Sequence, residues 1–517
     1  MHSNDETLKT TLSRTYDHKG RLLTETLPTR LAFSNSYDTQ GRRLSLTLPD
    51  TSFIIYGYDP LFLRTVTRLT SSNQPLYTHT YVQYDLAGNP LIQQLIAGSG
   101  ALVHTYDPAN RPTSCTAPHF NQEILEYDPV GNILQSRLND VTHHYTYDDL
   151  NQLTSETDHS YDYDALYNRL RKDSEVYSHN QLHQLPAEFN YDPDGNPLFS
   201  NHTCYTYDAL DRLIAVENPA QRLTFTYDSY HRRLSKTIYT RDQDQWKLEQ
   251  TLFFLYDDQN EIGSVDNLGN LLELRVLGRT PQAEIGSAVA LELHGKLFVP
   301  IHDLHGNIAT LISSSDNTFE EYRYTAFGEE EAKTFQSPWR FSSKRCDDET
   351  GLVYFGRRYY MPQLGRWLTP DPLGLDVSPN LYAYVSNTPL THVDLYGLFD
   401  TWEMNSFLQN RSSWKAEPIP FKQMSIATAH GVGDFALSTG KALSTVGWGL
   451  TTPVRAVNWM TGASSFSHDW NSLQNSNAAF HSAGDRWMQS MLPGDLNSAA
   501  YRTFRSGVSS GLELCHA

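Results

Sequence analysis

The chain has 517 residues, a net charge of −19, 39% apolar and 19% charged residues, the balance of a water-compatible folded protein. No stretch approaches the roughly 18 uncharged apolar residues of a membrane span, and the negative charge disfavours a surface that grips nucleic acid phosphates. Four scattered cysteines (Cys115, Cys204, Cys346 and Cys515) without CxxC or CxxH pairing argue against a disulfide framework or a zinc site, and no metal or other cofactor is expected.

The N-terminus, Met1–Glu6, lacks the basic and apolar regions of a Sec signal peptide, so secretion or surface display by a non-Sec route is expected. From residue 16 onward Tyr-Asp recurs, at Tyr16, Tyr37, Tyr58, Tyr84, Tyr106, Tyr127, Tyr147, Tyr161, Tyr163, Tyr191, Tyr207, Tyr227 and Tyr256. Early spacings lie close to 21 residues, a periodicity chance does not produce. Residues before Tyr-Asp alternate or favour strands, as in His79–Tyr84 and Leu223–Tyr227. The Asp carboxylate can cap backbone N–H groups two or three residues on, and a following Gly or Asn tolerates the left-handed conformation that closes the loop. Each unit therefore reads as a β-hairpin. A lone hairpin is marginal in water, whereas stacked hairpins pair their edges into one long, curling sheet.

These units resemble the YD repeats of RHS proteins, of the C components of insecticidal Tc toxins and of the teneurin YD shell. The resemblance covers about residues 14–398 and implies a mainly β fold, hairpins wound into a spiral or barrel-like hollow shell that encloses a C-terminal segment. It also implies a longer shell than this array supplies, and so a shell-completing N-terminal segment or partner.

Residues 302–398 carry the sharper match. HDLHGNIATL (His302–Leu311), EYRYTAFGE (Glu321–Glu329), the run Pro338–Leu375 and NLYAYVSNTPLTHVDLYGL (Asn380–Leu398) look like the RHS-associated core. The expected division is a repeat shell over 1–301, the core over 302–398 and a variable tail over 399–517. In the RHS and Tc toxins this core contains an intramolecular aspartyl protease that cuts after the final Gly-Leu. Carried over by position, the resemblance gives Asp371 and Asp394 as paired catalytic carboxylates and Arg358 as the accompanying basic residue, with a scissile bond between Leu398 and Phe399. One departure stands out, because Leu395 follows Asp394 where the family commonly has proline. Asp-Pro and Asp-x-x-Gly are also ordinary turn openers, so both aspartates have a purely structural reading.

The composition changes at the same boundary. Thirty of 31 tyrosines precede residue 399, six of nine tryptophans follow it, and the tail holds eight basic and eight acidic residues. Val432, Ala436, Thr439, Leu443, Val446 and Leu450 recur at helical spacing, so a small, mostly α tail is expected. Its uncharged run Ala442–Val454 is too short to span a bilayer and suits a buried helix or a membrane-inserting hairpin. His468, Asp469, His481, Asp485, Cys515 and His516 assemble no ligand or nucleophile set.

Two functional readings follow from the resemblance. In the first, the shell of a secreted polymorphic toxin encloses its own tail as cargo and releases it by cutting after Leu398, with a delivery-system component and a cognate immunity protein as partners. In the second, the chain is a non-enzymatic, teneurin-like adhesion scaffold or a truncated remnant, and stays uncut.

Overall fold

The computed structural model describes residues 11–280, 283–331, 336–376, 378–398 and 400–401. The expected helical tail and Phe399 lie outside these residues. The fold is mainly β. A 13-stranded sheet runs from Ser13–Tyr16 to Val141–His144, five strands follow between Thr146–Tyr147 and Glu175–Val176, and a second 13-stranded sheet runs from Asn190–Tyr191 to Phe319–Glu321. Within each sheet every strand pairs with its sequence neighbour.

The repeat explains this meander. At Asp128 the Oδ1 atom accepts hydrogen bonds from the backbone of Val130, Gly131 and Asn132 at 2.7–2.9 Å, and Oδ2 accepts from the Asn132 amide at 2.8 Å. The turn closes through Asp128 N–H to Asn132 O, and Gly131 takes φ +103°. The residue four positions after Asp is therefore part of the motif, because its side chain satisfies the second carboxylate oxygen. Arginine plays that role at Arg21, Arg42, Arg111, Arg212 and Arg232, and glutamine at Gln152.

The tyrosine joins one hairpin to the one before it. Tyr37 donates to Leu22 O, Tyr127 to Pro112 O, Tyr147 to Ile133 O and Tyr227 to Leu213 O, at 2.6–2.9 Å. Turn arginines reach forward in return. Arg21 donates to Asp38 O and stacks 4.7 Å over Tyr37, and Arg42 does the same with Asp59 O and Tyr58. The rings of Tyr37, Tyr127 and Tyr227 are thus held between neighbouring units by both hydrogen bonding and cation–π contact.

The two large sheets share one apolar core, in which Leu46, Ile54 and Val66 meet Leu274, Val276 and Val299. Charged pairs cross between the same sheets, including Arg43–Asp257 at 2.5 Å, Arg68–Glu292 at 3.0 Å and Arg232–Glu25 at 2.8 Å.

After Glu321 the pattern changes. Short strands Arg345–Asp347, Leu352–Tyr354, Tyr359–Met361 and Arg366–Trp367 form a small buried sheet. Phe341, Phe355, Tyr360, Trp367 and Tyr384 pack together in an aromatic cluster. Arg233–Asp347, Arg345–Glu261 and Arg345–Glu273, each at 2.5 Å and buried, fasten this segment to the second large sheet. Breaking a buried pair of this kind leaves an uncompensated charge, which costs about 3–5 kcal/mol.

Candidate self-cleavage site

Val393–Asp394 forms a two-residue strand that pairs antiparallel with Asp400–Thr401. Asp394 opens a turn as the repeat aspartates open theirs. Its Oδ1 accepts from the backbone N–H groups of Tyr396, Gly397 and Leu398 at 3.0, 2.7 and 3.1 Å. Gly397 adopts φ +77°, and a Cβ added there would lie 3.0 Å from the Arg358 backbone nitrogen. Glycine is required here for both conformation and space.

Arg358, just before the strand Tyr359–Met361, is buried with its guanidinium 4.2 Å over the Trp367 ring. Its Nε donates to Gly397 O at 2.7 Å and one Nη to Leu381 O at 3.2 Å. The other Nη lies 2.7 Å from Asp371 Oδ2 and 3.5 Å from Asp394 Oδ2. One nitrogen therefore addresses both carboxylates. The three residues expected to act together are brought together, and Leu398 is buried beside them. Phe399, on the far side of the expected cut, lies outside the described residues.

The electrostatics separate the two acids from ordinary turn aspartates. Burial pushes Asp371 up to about 6 against the pull of Arg358 and the Leu373 N–H, with Asp394 adding to the rise. Burial also raises Asp394, opposed by Arg358 and by its three backbone hydrogen bonds. At the exposed repeat turn of Asp17, the Arg21 backbone hydrogen bond heads the causes that bring the carboxyl down to about 2. The turn geometry is common to both places, and desolvation reverses its consequence. Asp394 Oδ2 is buried without a hydrogen-bond partner.

The residue-by-residue reading missed several contributors. Lys344 donates to Leu395 O at 2.5 Å and to Glu284 at 2.7 Å, which ties down the residue that replaces the family's proline. Leu395 itself packs with Ala283, Ile285 and Val393. Tyr396 donates to Asn260 Oδ1 at 3.1 Å. Trp367, directly after Gly-Arg in the core motif, supplies the floor under Arg358. A lysine and an arginine inside so aromatic a segment were the available signals. Among the described residues no group of His, Cys, Asp and Glu is placed to hold a metal ion, and no helix is long and apolar enough to cross a membrane.

The teneurin YD-shell family model matches residues 126–390. The chain belongs to that family. It is 28% identical over 277 residues to the tRNA3(Ser)-specific nuclease WapA of Bacillus spizizenii, covering 48% of this chain and 11% of that protein. It is 24% identical over 413 residues to toxin subunit YenC1 of Yersinia entomophaga, covering 74% and 39%. Among solved structures, the crystal structure of TcdB2-TccC3-Cdc42 superposes with a TM-score of 0.62 at 19% identity, over 74% of this chain and 23% of the other, a likeness of fold. The chain spans between about a tenth and two fifths of the length of these curated relatives. It is an RHS/YD-repeat wall with relatives among polymorphic toxins.

Proposed function

We propose that this protein is the closing part of a toxin-carrying shell that encloses its own residues 399–517 and severs them after Leu398. The observation that carries the reading is the single Arg358 guanidinium, which reaches Asp371, Asp394 and the carbonyl of Gly397 together. Hydrolysis of an unactivated peptide needs a base for water and an acid for the carbonyl oxygen. Asp371, paired closely with Arg358, is the base and takes a proton from water. Asp394, raised by burial and with an Oδ2 that accepts no hydrogen bond, is the acid. The water oxygen adds to the Leu398 carbonyl carbon as Asp394 gives its proton to the carbonyl oxygen. Collapse breaks the Leu398–Phe399 C–N bond, as Asp371 gives the proton it took from water to the departing nitrogen and a hydroxyl of the intermediate returns one to Asp394. Two neighbouring carboxyls of unequal environment provide this division of roles. The event happens once per chain, because enzyme and substrate are the same molecule.

The variable tail is the cargo in this reading. One crystal structure with the same fold is described as TcdB2-TccC3 without its hypervariable C-terminal region. An N-terminal shell-completing segment, a delivery component that carries the assembly out of the cell and an immunity protein for the producing cell complete the proposal.

The scaffold reading keeps one observation in its favour, since Asp394 makes the same backbone hydrogen bonds as the repeat aspartates. Intact mass of the full chain separates the two, measured beside Asp371→Asn and Asp394→Asn. Self-cleavage gives a wild-type product ending at Leu398 and two whole variants. A folded wild type that stays whole would return both aspartates to turn formation.

A further inference from the structure

Among the described residues, two buried arginines at the junction of the repeat wall and the core segment lack a carboxylate partner. Arg169, in the strand Arg169–Lys172, and Arg366, in the strand Arg366–Trp367, line one small cavity with Asn168, His179, Gly365 and Asn380. Arg169 is 6% exposed, and its Nε and both Nη atoms are buried with no well-formed hydrogen bond, the Tyr163 hydroxyl being the one polar group close enough to interact with them. Its guanidinium stacks on Phe327 at 4.0 Å and on Tyr161 at 4.8 Å. Stacking occupies the face of a guanidinium and leaves its in-plane N–H groups to be satisfied at the edge. Arg366 is 8% exposed, donates to His183 O at 2.6 Å and stacks on Tyr382 at 4.5 Å.

Neither arginine has a carboxylate within ion-pair distance among the described residues, and no acidic residue lines the cavity. Glu156 senses Arg169, but its oxygens accept from the Tyr161 hydroxyl and the Ala326 N–H. Glu329 is taken by Lys172. Burial, with a smaller contribution from Arg169 itself, depresses Arg366 to about 10. Two desolvated cations facing one cavity, neither of them paired with a carboxylate, are costly unless a counter-charge sits between them. The cavity measures about 20 Å³, room for a single particle of about water size.

We infer that this cavity is a binding site for one small inorganic anion of chloride size, held between the Arg169 and Arg366 guanidinium groups. The anion would staple the core segment to the repeat wall, because each arginine comes from one of the two. His179, whose Nδ1 also has no hydrogen-bond partner, lines the same cavity and adds a further donor in the tautomer that carries its proton there. The inference is independent of self-cleavage.

Crystals of the full chain soaked in sodium bromide test it directly, through anomalous scattering. Thermal unfolding in chloride against gluconate at equal ionic strength reads the same site in solution, where general screening is held constant. The expected result is a bromide peak between the two guanidinium groups, with melting raised by roughly 1–2 °C in chloride and no such rise in Arg366→Gln. Water alone in the cavity of the wild-type crystal overturns the proposal without reference to any variant. A bromide peak with no chloride dependence in solution also overturns it, as binding at soaking concentration only.

Discussion

Replacing Arg358 by glutamine removes the one charge both aspartates share. Asp371 has been raised by burial to about 6 with Arg358 holding it down, so loss of that cation raises it further. A carboxyl whose folded value lies above its unfolded one contributes stability that is complete below the unfolded value and is lost as pH rises through the folded one. In the unmodified site that loss runs from 3.8 and levels off near 6. In Arg358→Gln it continues to higher pH, and each further unit of rise adds about 1.4 kcal/mol of destabilisation. At pH 5 both forms have lost the same amount, so this difference vanishes there. The Gly397 and Leu381 carbonyls also lose their donor, a pH-independent cost of about 1–3 kcal/mol. Urea unfolding at pH 5 and pH 8, in an Asp394→Asn background that keeps every chain whole, measures both parts. A penalty of equal size at the two pH values would refute the claim that Arg358 restrains the ionisation of Asp371.

Other positions make independent claims. His79 is 2% exposed and burial holds it near 4, so its contribution is present above the ordinary histidine value and lost as pH falls toward 4. His79→Gln should flatten that acid limb by roughly 3 kcal/mol in equilibrium unfolding, and an unchanged limb would show that other groups set it. Asp128→Ala removes four hydrogen bonds from one repeat turn and should cost about 1–2 kcal/mol by denaturant midpoint without affecting cleavage. Gly397→Ala combines a positive φ with a close approach to Arg358, so a loss of about 1–2 kcal/mol and slowed release of the tail are expected. Wild-type cleavage kinetics in that variant would mean the turn is not part of the cutting geometry.

The local logic of the wall is written in the residues. Tyr-Asp followed by Gly or Asn contains the strand end, the capped turn and the left-handed residue, and the hairpins at Asp17, Asp38 and Asp128 follow from it directly. The partner four residues after Asp was also in the sequence, as a recurring Arg or Asn, but its significance appears only when Oδ2 is seen to need a donor. Motif resemblance singled out Asp371, Asp394 and Arg358 although Asp394 lies 36 residues beyond Arg358.

What tertiary structure alone decided is electrostatic. Asp17 and Asp394 both open their turns by accepting backbone hydrogen bonds, two at Asp17 and three at Asp394, yet burial raises one carboxyl while the other, nearer the surface, falls to about 2. Nor could spacing reveal that Arg169 and Arg366, 197 positions apart, would share one cavity without a carboxylate. A turn is a matter of neighbouring residues and is legible from them. Desolvation depends on what the rest of the chain brings against a side chain, and only the folded molecule specifies that.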